Sequence, residues 1–115
     1  MIGVDIIEIE RIAKSIQKDS FIKGVFTQAE MEYYRSTGSR AETLAGFFAA
    51  KEAAAKAAGT GFNGFRPKDI EIMHAESGRP YAVPHNGAIK IFEGRKLHVS
   101  ISHNTTTAIA VCMLV

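Results

Sequence analysis

A chain of 115 residues with a formal net charge of +2 supports one hydrophobic core but not two, and carries too little charge to coat nucleic acid by bulk electrostatics. Hydrophobic residues make up 46% and charged residues 23%, which excludes a disordered chain, so any anionic partner must be met by a local basic patch on a folded domain. The one cysteine, Cys112, lies in an apolar run, which excludes an internal disulfide and a thiolate zinc site and points to an inert buried thiol in a reducing compartment. No signal peptide precedes the first strand-like segment. The longest apolar run, Ala108 to Val115, is far short of the roughly 20 residues that span a bilayer. The expectation is a soluble, cytoplasmic protein with a single domain over 1–115.

Met1 to Ile9, MIGVDIIEI, is a β-branched run typical of a strand buried on at least one face. Asp5 interrupts it. A buried unpaired carboxylate costs several kcal/mol, so Asp5 sits at an exposed strand edge, is satisfied by hydrogen bonds, or holds a cation. From Glu10 the pattern turns helical, with Ile9, Ile12 and Ile16 on one side and a basic stripe of Arg11, Lys14 and Lys18 on the other. Such a stripe is either a solvated face or a docking surface for an acidic partner. Phe21 to Phe26 continues apolar, and TQAE from Thr27 is a capping-box signature that opens a helix through about Arg35.

After a turn at Ser36 to Ser39, a helix beginning near Ser39 or Arg40 runs to about Ala58 through LAGFFAAKEAAAKAAGTG, Leu44 to Gly61. Alanine, the best helix former, dominates it, and Gly59 and Gly61 give a stop just past the last periodic residue. At 3.6 residues per turn Phe48, Glu52 and Lys56 stack along one face, with Phe47 and Lys51 on the neighbouring stripe. Taken alone, Glu52 and Lys56 are an ordinary i,i+4 surface pair.

GTGFNGFRP, Gly59 to Pro67, is a loop without a Walker or G-x-G-x-x-G pattern. Asp69 to His74 alternates as a strand with one buried face, and the turn ESGRP leads to a short strand at Tyr81 to Val83, a hairpin. His85 to Glu93 carries a weak helical pattern. Leu97 to His103 alternates with Leu97, Val99 and Ile101 inward, and Ala108 to Val115 reads as a central strand. Strands first and last with helices between them predict an α+β domain whose antiparallel sheet carries its helices on one face.

Three signals can be weighed together: Asp5 in a strand, Glu52 with Lys51 and Lys56 on a helix, and His103 at the tip of a serine-bearing hairpin. An aspartate and a glutamate converging from separate elements suit Mg²⁺, a hard ion that takes one or two carboxylates and completes its shell with water and substrate phosphate. Three motifs carry a resemblance across nearly the whole chain: Gly3-Val4-Asp5-Ile6-Ile7 followed by Arg11-Ile12; Lys51-Glu52-Ala53 with Lys56 and Gly59-Thr60-Gly61; and Ser100-Ile101-Ser102-His103. In this order and spacing they resemble the holo-acyl-carrier-protein synthase type of 4′-phosphopantetheinyl transferase.

The resemblance implies the 4′-phosphopantetheinyl transferase fold and transfer of the phosphopantetheine arm of coenzyme A to a serine of apo acyl carrier protein, releasing adenosine 3′,5′-bisphosphate in support of fatty acid biosynthesis. It implies that Asp5 and Glu52 hold Mg²⁺ against the pyrophosphate and that Lys56 stabilises charge on the leaving phosphate. It further implies that Lys51, Gly59, Gly61, Ser102 and His103 contact coenzyme A, with His103 at the 3′-phosphate. Arg11, Lys14 and Lys18 then become the docking surface for the acidic carrier, and a homotrimer with sites between subunits is implied. The base that activates the serine stays open between a metal-bound water and a carboxylate. Two departures stand out: Phe47 occupies a position where many members carry a basic residue, and the segment between Pro84 and Leu97 is short. A metal-dependent nuclease and a small basic adaptor are the rival classes. A nuclease usually carries its Glu-x-Lys on a strand, whereas Glu52 and Lys56 have helical spacing.

Overall fold

The computed structural model describes residues 1–115. Strand β1 (Ile2–Glu8) leads into helices α1 (Ile9–Ser15), α2 (Asp19–Val25), α3 (Gln28–Ser36) and α4 (Ala41–Ala58), then a 3₁₀ turn at Pro67–Asp69. Strands β2 (Ile70–His74) and β3 (Pro80–Pro84), the short helix α5 (Gly87–Ile91) and strands β4 (Leu97–His103) and β5 (Thr107–Leu114) follow. This is the α+β arrangement that the order of elements predicts. No helix is long and apolar enough to cross a membrane.

The strands form two antiparallel sheets, β1-β5-β4 and the separate β2-β3 hairpin, with β5 at the centre of the larger one as its apolar run predicts. Register places Gly3, Cys112 and Val99 in one row and Asp5, Ala110 and Ile101 in the next, all on the face that α4 covers. The row between them, Val4, Val111 and Ser100, and the row beyond Asp5, Ile6, Ile109 and Ser102, point to the other face. On that outer face Ile2, Val4, Ile6, Ile109 and Met113 are exposed.

The local signals for the helices hold with one exception. Thr27 Oγ1 accepts from the Glu30 amide and the Glu30 carboxylate accepts from the Thr27 amide, a complete capping box. Gly59 closes α4 in the left-handed region at φ 79°. The exception is the basic helix, which ends at Ser15 and leaves Lys18 as the residue that caps α2. Past Ile16 the next inward positions are Asp19 and Ser20, so a continuous helix would turn polar groups to the core, and the chain instead restarts on the phase set by Phe21, Val25 and Phe26. The weak pattern after His85 yields only the five residues of α5.

The core is organised on α4, whose Leu44, Ala45, Ala49, Ala50, Ala53, Ala54, Ala55 and Ala57 are all buried. Its alanines let the helix lie almost on the backbone of β1. A Cβ built on Gly3 would overlap the Ala53 carbonyl oxygen and stand 2.6 Å from the Ala57 amide nitrogen and 3.0 Å from Lys56 Cβ. At the other end of the helix a Cβ on Gly46 would come within 2.8 Å of Ile101 Cγ2. Backbone cannot yield as a flexible side chain can, so Gly3→Ala must push β1 and α4 apart. We expect it to lower stability by about 1–3 kcal/mol, the usual range for overpacking, measured as a shift in the urea midpoint. An unchanged midpoint would mean that the contact is not tight in solution.

Candidate active site

Asp5 follows Gly3 by two residues on the same strand face, so the close approach that glycine permits also aims Asp5 at α4. Its side chain is 16% exposed, and Lys56 Nζ donates to Asp5 Oδ1 at 3.0 Å and to the Val4 carbonyl at 3.0 Å. Although β1 is an edge strand, Asp5 faces inward and is hydrogen-bonded, which sets aside the exposed-edge reading. The surface pair expected between Glu52 and Lys56 also gives way, because Lys56 reaches across to the strand instead.

Glu52 lies one turn before Lys56 on the same side of α4 and is half-buried. Burial pushes its carboxyl above the usual range, and the charge on Asp5 pushes it further, while Lys56 and Arg11 oppose the shift. The fields of Asp5, Lys56 and Arg11 thus meet at Glu52. Two carboxylates, one from a strand and one from a helix, share a site with two cations at its rim. Nowhere in the chain do three or more His, Cys, Asp or Glu side chains form a cluster able to hold a metal. A pair of hard oxygen donors without a third protein ligand fits an ion that keeps water and substrate oxygens, as Mg²⁺ does, and not a closed zinc site.

Lys51 requires a correction. The resemblance implies a contact with coenzyme A, but the side chain is fully buried, with Nζ 2.9 Å and 2.8 Å from the Glu30 carboxylate oxygens, 2.6 Å from the Ile70 carbonyl and 3.1 Å from that of Pro67. The ammonium has no donor left and no path to solvent. Desolvation lowers its pKa, against the pull of Glu30. The sequence held a clue, because Lys51 shares a helix stripe with Phe47, which is also buried.

His103 ends β4 on the α4 side of the sheet, whereas Ser102 projects from the opposite face. His103 borders a groove of about 310 Å³ with Tyr33, Arg40, Gly46, Phe47 and His74. Within this groove Tyr33 and His74 stack at 3.9 Å, and the Phe47 ring lies 5.8 Å and 5.6 Å from them, so the residue that departs from the family pattern is a packed wall. The sequence reading missed Tyr33, Arg40 and His74, which no motif marks. In one chain His103 does not join the carboxylates. Asp5 and Ile101 stand two strand spacings apart, roughly 10 Å, and Gly46 precedes Lys56 by about 15 Å of helix.

Gly59 and Gly61 both have positive φ, 79° and 59°, and the Gly61 amide bonds back to the Ala55 carbonyl at 3.2 Å, which folds the loop over the end of α4 beside Lys56. Arg11 and Lys14 are exposed on α1, and Lys18 is exposed beyond it. Lys14 and Glu10 form a loose exposed pair at 3.8 Å, which adds little stability and leaves the stripe positive.

The raised carboxyl gives a test with a defined sign. A carboxyl that folding raises is penalised as pH climbs from its unfolded value through its folded one, and carries no penalty below both. In metal-free buffer Glu52→Gln should therefore raise the melting temperature slightly at pH 7, and the gain should vanish as the medium becomes acid enough to protonate Glu52 in the parent. A loss of stability at pH 7 would show that Glu52 is held by favourable contacts instead.

The sequence profile of the 4′-phosphopantetheinyl transferase superfamily matches residues 1–112. A holo-[acyl-carrier-protein] synthase of Clostridium perfringens is 48% identical over 121 residues, covering 98% of this chain and 91% of that protein. The crystal structure of the Helicobacter pylori holo-[acyl-carrier-protein] synthase in complex with coenzyme A superposes with a TM-score of 0.88 at 31% identity, over 100% of both chains. The Neisseria meningitidis synthase gives a TM-score of 0.90 at 31% identity, over 99% of this chain and 96% of that one. Profile, sequence and fold agree over essentially the full length, and the chain belongs to the 4′-phosphopantetheinyl transferase superfamily.

Proposed function

We propose that the chain transfers the 4′-phosphopantetheine arm of coenzyme A to a serine of an apo acyl carrier protein, yielding the holo carrier and adenosine 3′,5′-bisphosphate. The convergence of Asp5 and Glu52 beside Lys56 carries this reading, since phosphoryl transfer depends mainly on positioning and charge neutralisation. Asp5 and Glu52 would hold Mg²⁺, which supplies charge neutralisation at the pyrophosphate. Lys56 stabilises negative charge on the leaving phosphate from the rim of the site. Gly59 and Gly61 shape the adjoining loop for coenzyme A, and Ser102 and His103 contact the nucleotide end, His103 at the 3′-phosphate. The C. perfringens relative by its name, and the H. pylori structure by its bound coenzyme A, support the carrier protein and coenzyme A as the two substrates. On this reading one domain, 1–115, works in the cytoplasm in fatty acid biosynthesis.

Arg11, Lys14 and Lys18 serve as the carrier's docking surface. The exposed stripe runs to Arg11, whose charge is felt at Glu52, so an acidic protein gripped there would present its serine to the carboxylate pair. The active unit is a homotrimer with sites between subunits. Two features support this: His103 lies too far from Asp5 to share its site within one chain, and the outer sheet face leaves Ile2, Val4, Ile6, Ile109 and Met113 exposed.

Intact-mass spectrometry of an apo carrier mixed with the protein, Mg²⁺ and coenzyme A should show the phosphopantetheine adduct, and no adduct with any of several carriers at high enzyme concentration would refute the function. Asp5→Asn and Glu52→Gln should each lower turnover at least 100-fold, about 2.7 kcal/mol of transition-state stabilisation, while carrier binding persists. An adaptor would keep its function in both variants, and a nuclease would cleave DNA or RNA with the same metal. Replacing Arg11, Lys14 and Lys18 together by alanine should instead weaken carrier binding, with a loss that grows smaller as salt is raised.

A further inference from the structure

The ion pair between Lys51 and Glu30 is the only fully buried one in the chain, and it adjoins the carboxylate pair in sequence. Its geometry is that of a junction. The Glu30 carboxylate accepts from Lys51 Nζ through both oxygens, from the Thr27 amide at 2.8 Å and from the Ile72 amide at 2.8 Å. Lys51 in turn donates to the Pro67 and Ile70 carbonyls. One salt bridge therefore ties the start of α3, the middle of α4, the 3₁₀ turn and strand β2, with no buried side-chain polar atom left unsatisfied.

In the turns around Glu52 apolar packing does little to fix the rotation of α4, whose two large buried apolar side chains, Leu44 and Phe47, lie in its first half. Its buried surface is mostly alanine, and small alike side chains tolerate turning or sliding of the helix better than interlocking ones. Around Glu52 three features resist such movement: the backbone contact at Gly3 sets how near the helix approaches β1, the exposed Lys56 bridges to Asp5 and the Val4 carbonyl, and the buried polar junction at Lys51 sets which way the helix faces. Lys51 and Glu52 are consecutive, about 100° apart around the axis. A rotation that swings Lys51 off its four oxygens moves Glu52 relative to Asp5 by the same angle.

We infer that Lys51 and Glu30 are positioning residues, whose buried junction holds α4 in the rotation that brings Glu52 opposite Asp5. The inference rests on the proposed metal-binding role of those two carboxylates. It assigns to the lysine of the Lys-Glu-Ala motif a part away from substrate: the charged contacts face inward so that the next residue faces outward at a fixed angle.

The test is a titration of Mn²⁺, a spectroscopic stand-in for Mg²⁺, into the full chain with coenzyme A present and no carrier protein. Free Mn²⁺ is read by electron paramagnetic resonance. Lys51→Met alone strands the Glu30 carboxylate in the interior and risks unfolding, so the informative variant is the double replacement E30Q/K51M, which removes both charges with little change of volume. Circular dichroism and a thermal melt establish the temperature at which it is folded. At that temperature we expect the Mn²⁺ dissociation constant to rise about tenfold, or 1.4 kcal/mol. A folded double variant with the parent's Mn²⁺ affinity overturns the inference and leaves the proposed function intact. A parent chain that binds no Mn²⁺ beside coenzyme A overturns the metal reading and this inference with it.

Discussion

The closeness of α4 to β1 governs what else this structure can do. Strand and helix touch backbone to backbone at Gly3, where any side chain would collide with Ala53 and Ala57. Because strand residues alternate, the same two-residue step that buries Gly3 turns Asp5 toward the helix, and because helix neighbours recur at about 100°, Glu52 and Lys56 are the polar residues it meets. The contact thus does two jobs. It closes the core with small residues, and it forces an aspartate, a glutamate and a lysine into one another's fields.

The charges on α4 illustrate how position decides the fate of like residues. Lys51 and Lys56 are separated by five positions, about 140° around the axis, which sends one into the interior and the other to the rim. Lys51 meets four oxygens and is locked. Lys56 keeps half of its side chain in solvent and bridges to the strand. Between them Glu52 is left with no ion-pair partner of its own, half-buried and within the field of Asp5, an arrangement that costs stability when both are charged. A stable monomer has no need of such a placement, and the proposed site for a divalent ion and a polyanionic substrate would account for it.

Most of the fold was legible because its signals are local. The capping box at Thr27 and Glu30, the alanine helix with its glycine stop and the alternation of β4 each depend on residues a few positions apart. The division of the basic segment at Lys18 was also readable in principle, since Asp19 and Ser20 fall on the inward phase. What was not readable is set by tertiary contact. Glu30 shows only its capping role in the sequence, yet the same carboxylate bonds Lys51 and Ile72 from distant segments. The groove of Tyr33, His74, Phe47 and Arg40 gathers residues from three separate stretches, and nothing at the sequence level links them. The Ser-x-Ser-His motif had the opposite fault: it reads as one unit, but alternation sends Ser102 and His103 to opposite faces of the sheet.

The proposed function requires that Asp5 and Glu52 share one divalent ion. Anomalous diffraction at the manganese edge, from crystals grown with Mn²⁺ and coenzyme A, addresses it directly. The predicted result is a single strong peak within coordination distance, roughly 2.0–2.3 Å, of both carboxylates, with Lys56 at its edge and Lys51 still closed on Glu30. A peak that touches neither carboxylate, or Asp5 and Glu52 too far apart for one ion to bridge, would contradict it.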